Sequence, residues 1–277
     1  MSRPATALLD DTPERDYAVK LRLFNAFAEP ELRQAIGSLG LESGMRVLDA
    51  GCGTGEALLW LREAVGAEGD VAGVDLSRRH VACARDHVQD AARVFEGDLL
   101  SHECAPSSLH LIWSVNTINH LRDPVDALLK LRPSVQPGGR IALGQSSLLP
   151  DMVFAWDARL ERLATEAIRQ YYRERYGLDE QSLAEVRGLV RWLQRAGLRS
   201  VSVRTFPIER ALPLRRADRD YLLEAILRLW ETRLEPYLSP GDAARLKRLC
   251  DPADPQFALG RPDFHFLQTF TLAVGTA

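Results

Sequence analysis

Apolar residues recur along this chain with two periods, and the switches between them mark out its elements. From Tyr17 to Leu39 the positions Val19, Leu21, Leu23, Phe24 and Phe27 follow helical spacing, and Glu29-Pro30 predicts a break before the pattern resumes as Glu31–Ser38. Short apolar runs come next, at Val47–Ala50, Val71–Val74, about Ala92–Phe95, Leu109–Trp113 and Ile141–Leu143. Each reads as a buried strand, with helical stretches at 54–65, from Arg78, and at Leu128–Arg132 between them. Strand and helix therefore alternate from 46 to 147, which predicts parallel βαβ units in a doubly wound α/β sheet. Ligands of such sheets bind outside the carboxyl ends of the strands.

Beyond residue 150 the pattern changes. Asp151–Tyr176 reads as one long helix rich in Arg and aromatics, and Ser182–Ala196 as another that stops at Gly197. Leu198–Phe206 alternates with period two and predicts a sixth strand, with Phe264–Val274 as its antiparallel partner. The insertion between them carries expected helices at about Ala217–Leu234 and Pro240–Cys250. The expected layout is a helical cap over 1–40, a core over 41–150, a helical lid segment over 151–197, and the last two strands over 198–277 with an insertion at about 212–255. The insertion reads either as a substrate lid or, through Leu223, Leu227, Trp230 and Tyr237, as a satellite core or dimer contact.

The chemistry concentrates at the carboxyl ends of the expected strands. In Val47-Leu48-Asp49-Ala50-Gly51-Cys52-Gly53-Thr54-Gly55-Glu56 three alternate glycines follow a strand and open a helix, so backbone N–H groups approach a ligand with no Cβ in the way. A dinucleotide fingerprint needs Gly or Ala where Glu56 stands, and a carboxylate there crowds and repels a pyrophosphate, which disfavours NAD and FAD. Asp75 ends the second strand, where a carboxylate accepts hydrogen bonds from ribose hydroxyls, and Ser77 can cap the helix behind it. Glu96-Gly97-Asp98-Leu99 ends the third strand, and Ser114-Val115-Asn116-Thr117-Ile118-Asn119-His120-Leu121-Arg122-Asp123-Pro124 follows the fourth.

This order resembles the class I S-adenosylmethionine (SAM) dependent methyltransferases, closely over about 44–147 and more loosely to the end. The resemblance implies a Rossmann-like seven-stranded sheet with its last strand antiparallel and helical lid insertions. It implies SAM as cofactor, with S-adenosylhomocysteine as product, held by Asp49, Gly51, Gly53, Gly55, Asp75, Leu76, Asp98, Leu99, Ser114 and Asn116. Asp98 and Leu99 become the adenine contacts, and the N-terminal helix covers the cofactor. The fourth-strand segment is similar to the family's Ser-x-x-x-Leu-His-His-x-x-Asp-Pro, with Asn119 in place of the first His and His110 where the strand usually carries Asp. The Asn/Asp-Pro-Pro-Tyr motif of enzymes methylating DNA bases or protein glutamine is not matched, and Asn116 and Thr117 lack the hard carboxylates of a magnesium-dependent site. The expected activity is metal-free methylation of a small molecule, in the ubiquinone/menaquinone and natural-product branch. His120, and after it His265, are candidate general bases, with Tyr17 a weaker one, and Arg169 or Arg173 candidates for an acidic group on the acceptor. A SAM-binding protein of the same fold with another reaction, or a non-catalytic partner, would keep the same cofactor residues.

Composition narrows the setting. At 277 residues, 46% hydrophobic, the chain suits one α/β core with a helical elaboration. A formal net charge of −3, with basic residues almost all Arg, gives no electrostatic footprint for nucleic acid or an anionic membrane. Cys52, Cys83, Cys104 and Cys250 show no C-x-x-C spacing and read as free thiols in a reducing compartment. The first residues lack a signal-peptide core and no stretch is apolar for long enough to span a bilayer, so a cytoplasmic monomer or homodimer is expected.

Overall fold

The structure, a computed structural model, describes residues 14–101, 104–121, 123–147, 150–176 and 188–277. Seven strands form one sheet in the order β3-β2-β1-β4-β5-β7-β6. They are β1 (Arg46–Ala50), β2 (Asp70–Asp75), β3 (Arg93–Glu96), β4 (Leu109–Val115), β5 (Val135–Ser146), β6 (Arg199–Ala211) and β7 (His265–Thr276). The strands from β1 to β5 pair in parallel, and β7 runs antiparallel between β5 and β6. The strand order reverses at β1, whose parallel neighbours are β2 on one side and β4 on the other, so a crevice opens at their carboxyl ends.

Alternation along β1 shows how the sheet is buried on both sides. Val47 joins the core beneath α1 (Glu14–Gly37), α2 (Glu56–Val65), α3 (Arg78–Val88) and α5 (Ala158–Tyr176), while Leu48 and Ala50 join the opposite core with α4 (Pro124–Leu131) and α6 (Leu189–Arg195). The expected strand after Pro137-Gly138-Gly139 begins earlier, at Val135. The register between β4 and β5 shifts there, from Leu109 opposite Val135 to Leu111 opposite Arg140, which takes up the turn inside the strand.

Several expectations change. The N-terminal helix does not break at Glu29-Pro30 but runs through Pro30 to Gly37. Proline there removes one helical N–H, and a turn earlier the Phe27 carbonyl accepts hydrogen bonds from Arg210 (2.6 Å) and Arg215 (3.0 Å), so tertiary donors support the backbone where the helix is weakest. The helix expected over Asp151–Tyr176 starts at Ala158. Before it Met152 bridges to Leu267 of β7, and Glu161 accepts the Val153 N–H at 2.8 Å and also that of Phe154, which holds 151–157 as a non-helical approach that turns at 155–156. Of the helix expected over Ser182–Ala196, residues 188–196 are described, with α6 closing at Gly197. The first 13 residues, the Tyr17 side chain and 177–187 lie outside the described residues.

The insertion is one helical rod with a wider turn in it, α7 (Arg216–Tyr221) and α8 (Arg228–Arg233) flanking a π-helical stretch Leu222–Leu227, and then α9 (Pro240–Cys250). Its Leu227 and Trp230 are fully buried in the same core as α1, and Tyr221 stacks on Phe27 with ring centroids 4.3 Å apart. Arg210, at the end of β6, reaches Glu31 of α1 at 2.8 Å and Asp218 of α7 at 2.8 Å, with its guanidinium over the Phe27 ring. The N-terminal helix and the insertion are thereby bound to each other. Among the described residues, no helix is long and apolar enough to cross a membrane.

Candidate functional site

The glycine loop turns tightly against its neighbours. Gly51 sits at φ +90°, and a Cβ there would lie 2.2 Å from the Thr117 side chain, so Thr117 closes one wall and only glycine fits. The loop is held to β2 by Gly51 and Cys52 N–H groups donating to the Val74 carbonyl at 2.8 and 3.0 Å. Gly53, at φ +52°, faces α1, with Leu21 3.2 Å from where its Cβ would stand. Gly55 caps α2 in a left-handed conformation.

Glu56, the residue that breaks a dinucleotide fingerprint, has a defined task. Its Oε2 accepts from Asn25 of α1 at 2.8 Å and from the Thr54 hydroxyl at 2.7 Å, tying the N-terminal helix to the loop. Asp49 lies beneath the loop and is 2% exposed. Burial, reinforced by the neighbouring charges of Asp75 and Glu56, pushes its carboxyl up to about 8. Among the described residues it has no ion pair. Burial, reinforced by the charges of Asp49 and Asp75, raises the Cys52 thiol far above its ordinary range.

Asp75, at the tip of β2, accepts three hydrogen bonds. Oδ2 takes the Gly53 N–H at 2.9 Å, and Oδ1 takes the Ser77 N–H at 2.9 Å and faces His80 Nδ1 at 3.2 Å. A carboxylate offers about four acceptor positions, so these three contacts leave one open, on Oδ2. The helix cap itself is Ser77. Leu76 beside it is 69% exposed, an apolar surface at the mouth of the crevice. Asp98 Oδ1 accepts the Leu100 N–H at 2.9 Å, and the Leu99 side chain is buried in the second core.

At the end of β4 two expected cofactor contacts have other work. The Ser114 hydroxyl is buried and donates to the Ala50 carbonyl at 2.6 Å, bonding β4 to β1. Asn116, at φ +52°, accepts on Oδ1 from the Ser146 N–H (2.9 Å) and hydroxyl (3.0 Å), and so fixes the ends of β4 and β5. Both oxygens hold the strand ends. A 3-10 turn, Ile118–His120, then carries His120. Its ring bonds to the Asn116 backbone and not to the following helix start, which Asp123 caps with its own carboxylate. Burial lowers the His120 imidazole to about 4, against the upward pull of that backbone bond.

His265 does not join this group. The last β5 pair in the sheet is Ser146 with Phe270, and β7 continues five residues further to His265, about 17 Å at the usual strand rise. There His265 meets Glu209 at 2.7 Å on the rim of the sheet. Arg169 lines an open cavity of about 630 Å3 with Met152, Phe154 and Arg162, and Arg173 is exposed further along α5. Sequence reasoning missed Thr117, Asn25, Leu21 and His80. Only Thr117 lay in a motif, and the others are ordinary helix positions until the helices are docked.

Residues 47–139 match the family model described as a methyltransferase domain. The solved structure of YcgJ from Bacillus subtilis is similar in fold, with a TM-score of 0.53 at 17% identity over 90% of this chain and 98% of that one. The [4+2]-cyclase SpnF is as similar, with a TM-score of 0.52 at 16% identity over 100% and 99% of the two chains. Over 47–139, which holds β1 to β4 and the glycine loop, the chain is therefore similar to a methyltransferase domain. Among curated relatives it is 32% identical to the 27-O-demethylrifamycin SV methyltransferase of Amycolatopsis mediterranei over 119 residues, 41% of this chain and 43% of that protein. The chain spans about two fifths of the length of the curated relatives it matches first.

Proposed function

We propose that this chain binds SAM at the glycine loop and transfers its methyl group to a small-molecule acceptor without a metal. The observation that carries the reading is the buried acid group of Asp49, with Asp75 and Glu56 around a loop whose glycines admit a ligand. A cation lowers the cost of ionising Asp49 in that setting, whereas a pyrophosphate raises it. SAM brings an ammonium and a sulfonium, so the residues present fit it. Asp49 would hold the cationic end, Asp75 Oδ2 a ribose hydroxyl, Leu76 the face of the adenine, and Asp98 with the Leu99 backbone its edge. SAM supplies an electrophilic methyl carbon when bound. The protein's part is to align an acceptor with it, exclude water, and take a proton where the acceptor needs one lost.

His120 is the proposed base. With its proton affinity lowered by burial it stays neutral across physiological pH, the form that can accept. The metal-free reading rests on the donor types at the end of β4, where Asn116 and Thr117 offer an amide and a hydroxyl and no carboxylate. The rifamycin relative supports a small acceptor of specialised metabolism. A second reading keeps SAM binding but not methylation, and the likeness in fold to a protein named as a cyclase favours keeping it in view. Calorimetry with SAM, S-adenosylhomocysteine and NAD tests the first part, with NAD expected not to bind. Release of S-adenosylhomocysteine from SAM with a panel of hydroxylated and amino acceptors tests the second, and SAM binding without such release on any acceptor selects the other reading.

A further inference from the structure

His80 stands at the third position of α3, after the Ser77 cap, where a side chain folds back over the helix start. In a capping box that side chain bonds the cap's own N–H. Here the Ser77 N–H goes to Asp75 Oδ1, and His80 reaches the same oxygen, so the imidazole closes a ring of contacts through the acid of β2. The two side chains are 7% and 14% exposed. A carboxylate accepts only, so Nδ1 carries the hydrogen. With Ser77 and His80 on Oδ1 and Gly53 on Oδ2, the plane of the carboxylate is set by three donors from three directions. An apolar residue would fill the same buried space and leave the carboxylate held by two backbone donors, Ser77 and Gly53, without the third.

We propose that His80 is a positioning residue, holding the Asp75 carboxylate so that the open acceptor position of Oδ2 meets a ribose hydroxyl of the adenosyl ligand while the glycine loop stays bonded to it. The inference rests on the proposed SAM site. Its action is indirect: the imidazole orients an acceptor and a loop.

The test compares His80→Leu, close in volume with no donor, and His80→Asn, whose amide N–H takes the place of Nδ1. S-adenosylhomocysteine and its 2′,3′-dideoxy form are titrated into each by calorimetry, and exchange of the Gly53 amide is followed without ligand. His80→Leu should lose about tenfold affinity for S-adenosylhomocysteine, the worth of one bond to a charged acceptor, and little for the dideoxy form. Gly53 should exchange faster in that variant, and His80→Asn should restore both readouts. Equal losses on the two ligands, a wild-type Gly53 exchange rate in His80→Leu, or no rescue by Asn overturns the assignment. A wild-type protein that binds neither ligand removes the SAM reading instead, and the Gly53 exchange rates still decide whether His80 holds Asp75.

Discussion

Asn25 donates at 2.8 Å to the Glu56 oxygen that also receives the Thr54 hydroxyl, so one carboxylate oxygen joins the N-terminal helix to the glycine loop. The contact spans 31 positions and makes Glu56, the residue that departs from a dinucleotide fingerprint, the fastening of the helix that lies over the loop. Cutting it by Asn25→Leu should cost about 1.5–3 kcal/mol of stability, the worth of one bond to a charged acceptor. Affinity for S-adenosylhomocysteine should fall and protease should cleave α1 faster. Unchanged affinity and cleavage would show that α1 is held by its apolar face alone.

Cofactor binding should depend on pH through Asp49. Its carboxyl, at about 8 without ligand, is mostly protonated at pH 7, and a bound cation favours the ionised form and lowers that value. Binding then releases a proton, and SAM affinity rises with pH by up to tenfold per unit until it levels off above about 8. The free protein behaves in the opposite sense. Its folded state holds the Asp49 proton that the unfolded chain has lost, so this group's contribution to stability declines as pH rises from about 4 to about 8. Calorimetry in buffers of different ionisation heat measures the proton release, and Asp49→Asn should abolish it.

If His120 is the base, its burial moves the expected pH limb. The imidazole at about 4 is neutral above about pH 5, so turnover should be insensitive to this group from pH 6 upward, with its protonation limb near 4. His120→Ala should lower turnover by about 10²–10⁴-fold with SAM affinity retained. A variant with most of its activity assigns the proton to solvent or to another group. In the unfolded chain the ring titrates near 6.5, so this group's share of stability falls as pH drops from about 6.5 toward 4.

Asp75→Ala removes a ligand contact and an internal fastening together. The carboxylate holds Gly53 and Ser77 N–H groups besides its open acceptor position, and bonds to a charged acceptor are worth roughly 1.5–3 kcal/mol each. Affinity for S-adenosylhomocysteine should drop by at least tenfold, and the melting temperature should fall as well. A loss of affinity with full thermal stability would mean that the Gly53 and Ser77 bonds contribute nothing net.

Gly51→Ala should be worse than a generic loop substitution. The new Cβ would meet Thr117 at 2.2 Å at a backbone angle of +90°. Combining it with Thr117→Gly should relieve the overlap but keep the left-handed strain of about 1–2 kcal/mol, so stability returns only in part. Full recovery in the double variant would place the whole cost in the Thr117 contact.

Local pattern showed the sheet and its crevice because Val47–Ala50 and Val71–Val74 are short apolar runs that pack against helices on both faces, and the acids Asp49 and Asp75 follow in order. What it could not show depends on partners distant along the chain. Pro30 reads as a stop until Arg210 and Arg215 arrive at the Phe27 carbonyl. Ser114 and Asn116 carry polar groups at a ligand-facing strand end, and only the positions of Ala50 and Ser146 reveal that those groups are already used. His265 marks the start of a strand correctly, but the start of an antiparallel strand overshoots the parallel ends by the length of its extra pairing with β6.

The Arg210–Glu31 contact joins residues 179 positions apart, and this sets an order of events during synthesis. At a translation rate of about 5–20 residues per second, β6 follows α1 by on the order of 10–40 s. The strands that carry Asp49 and Asp75 are complete long before that. A nascent chain can therefore shape its cofactor crevice while the helix meant to cover it still lacks its anchor, and that helix exposes Phe24 and Phe27 until Tyr221 has been made. The first of the described helices is among the last to find its place.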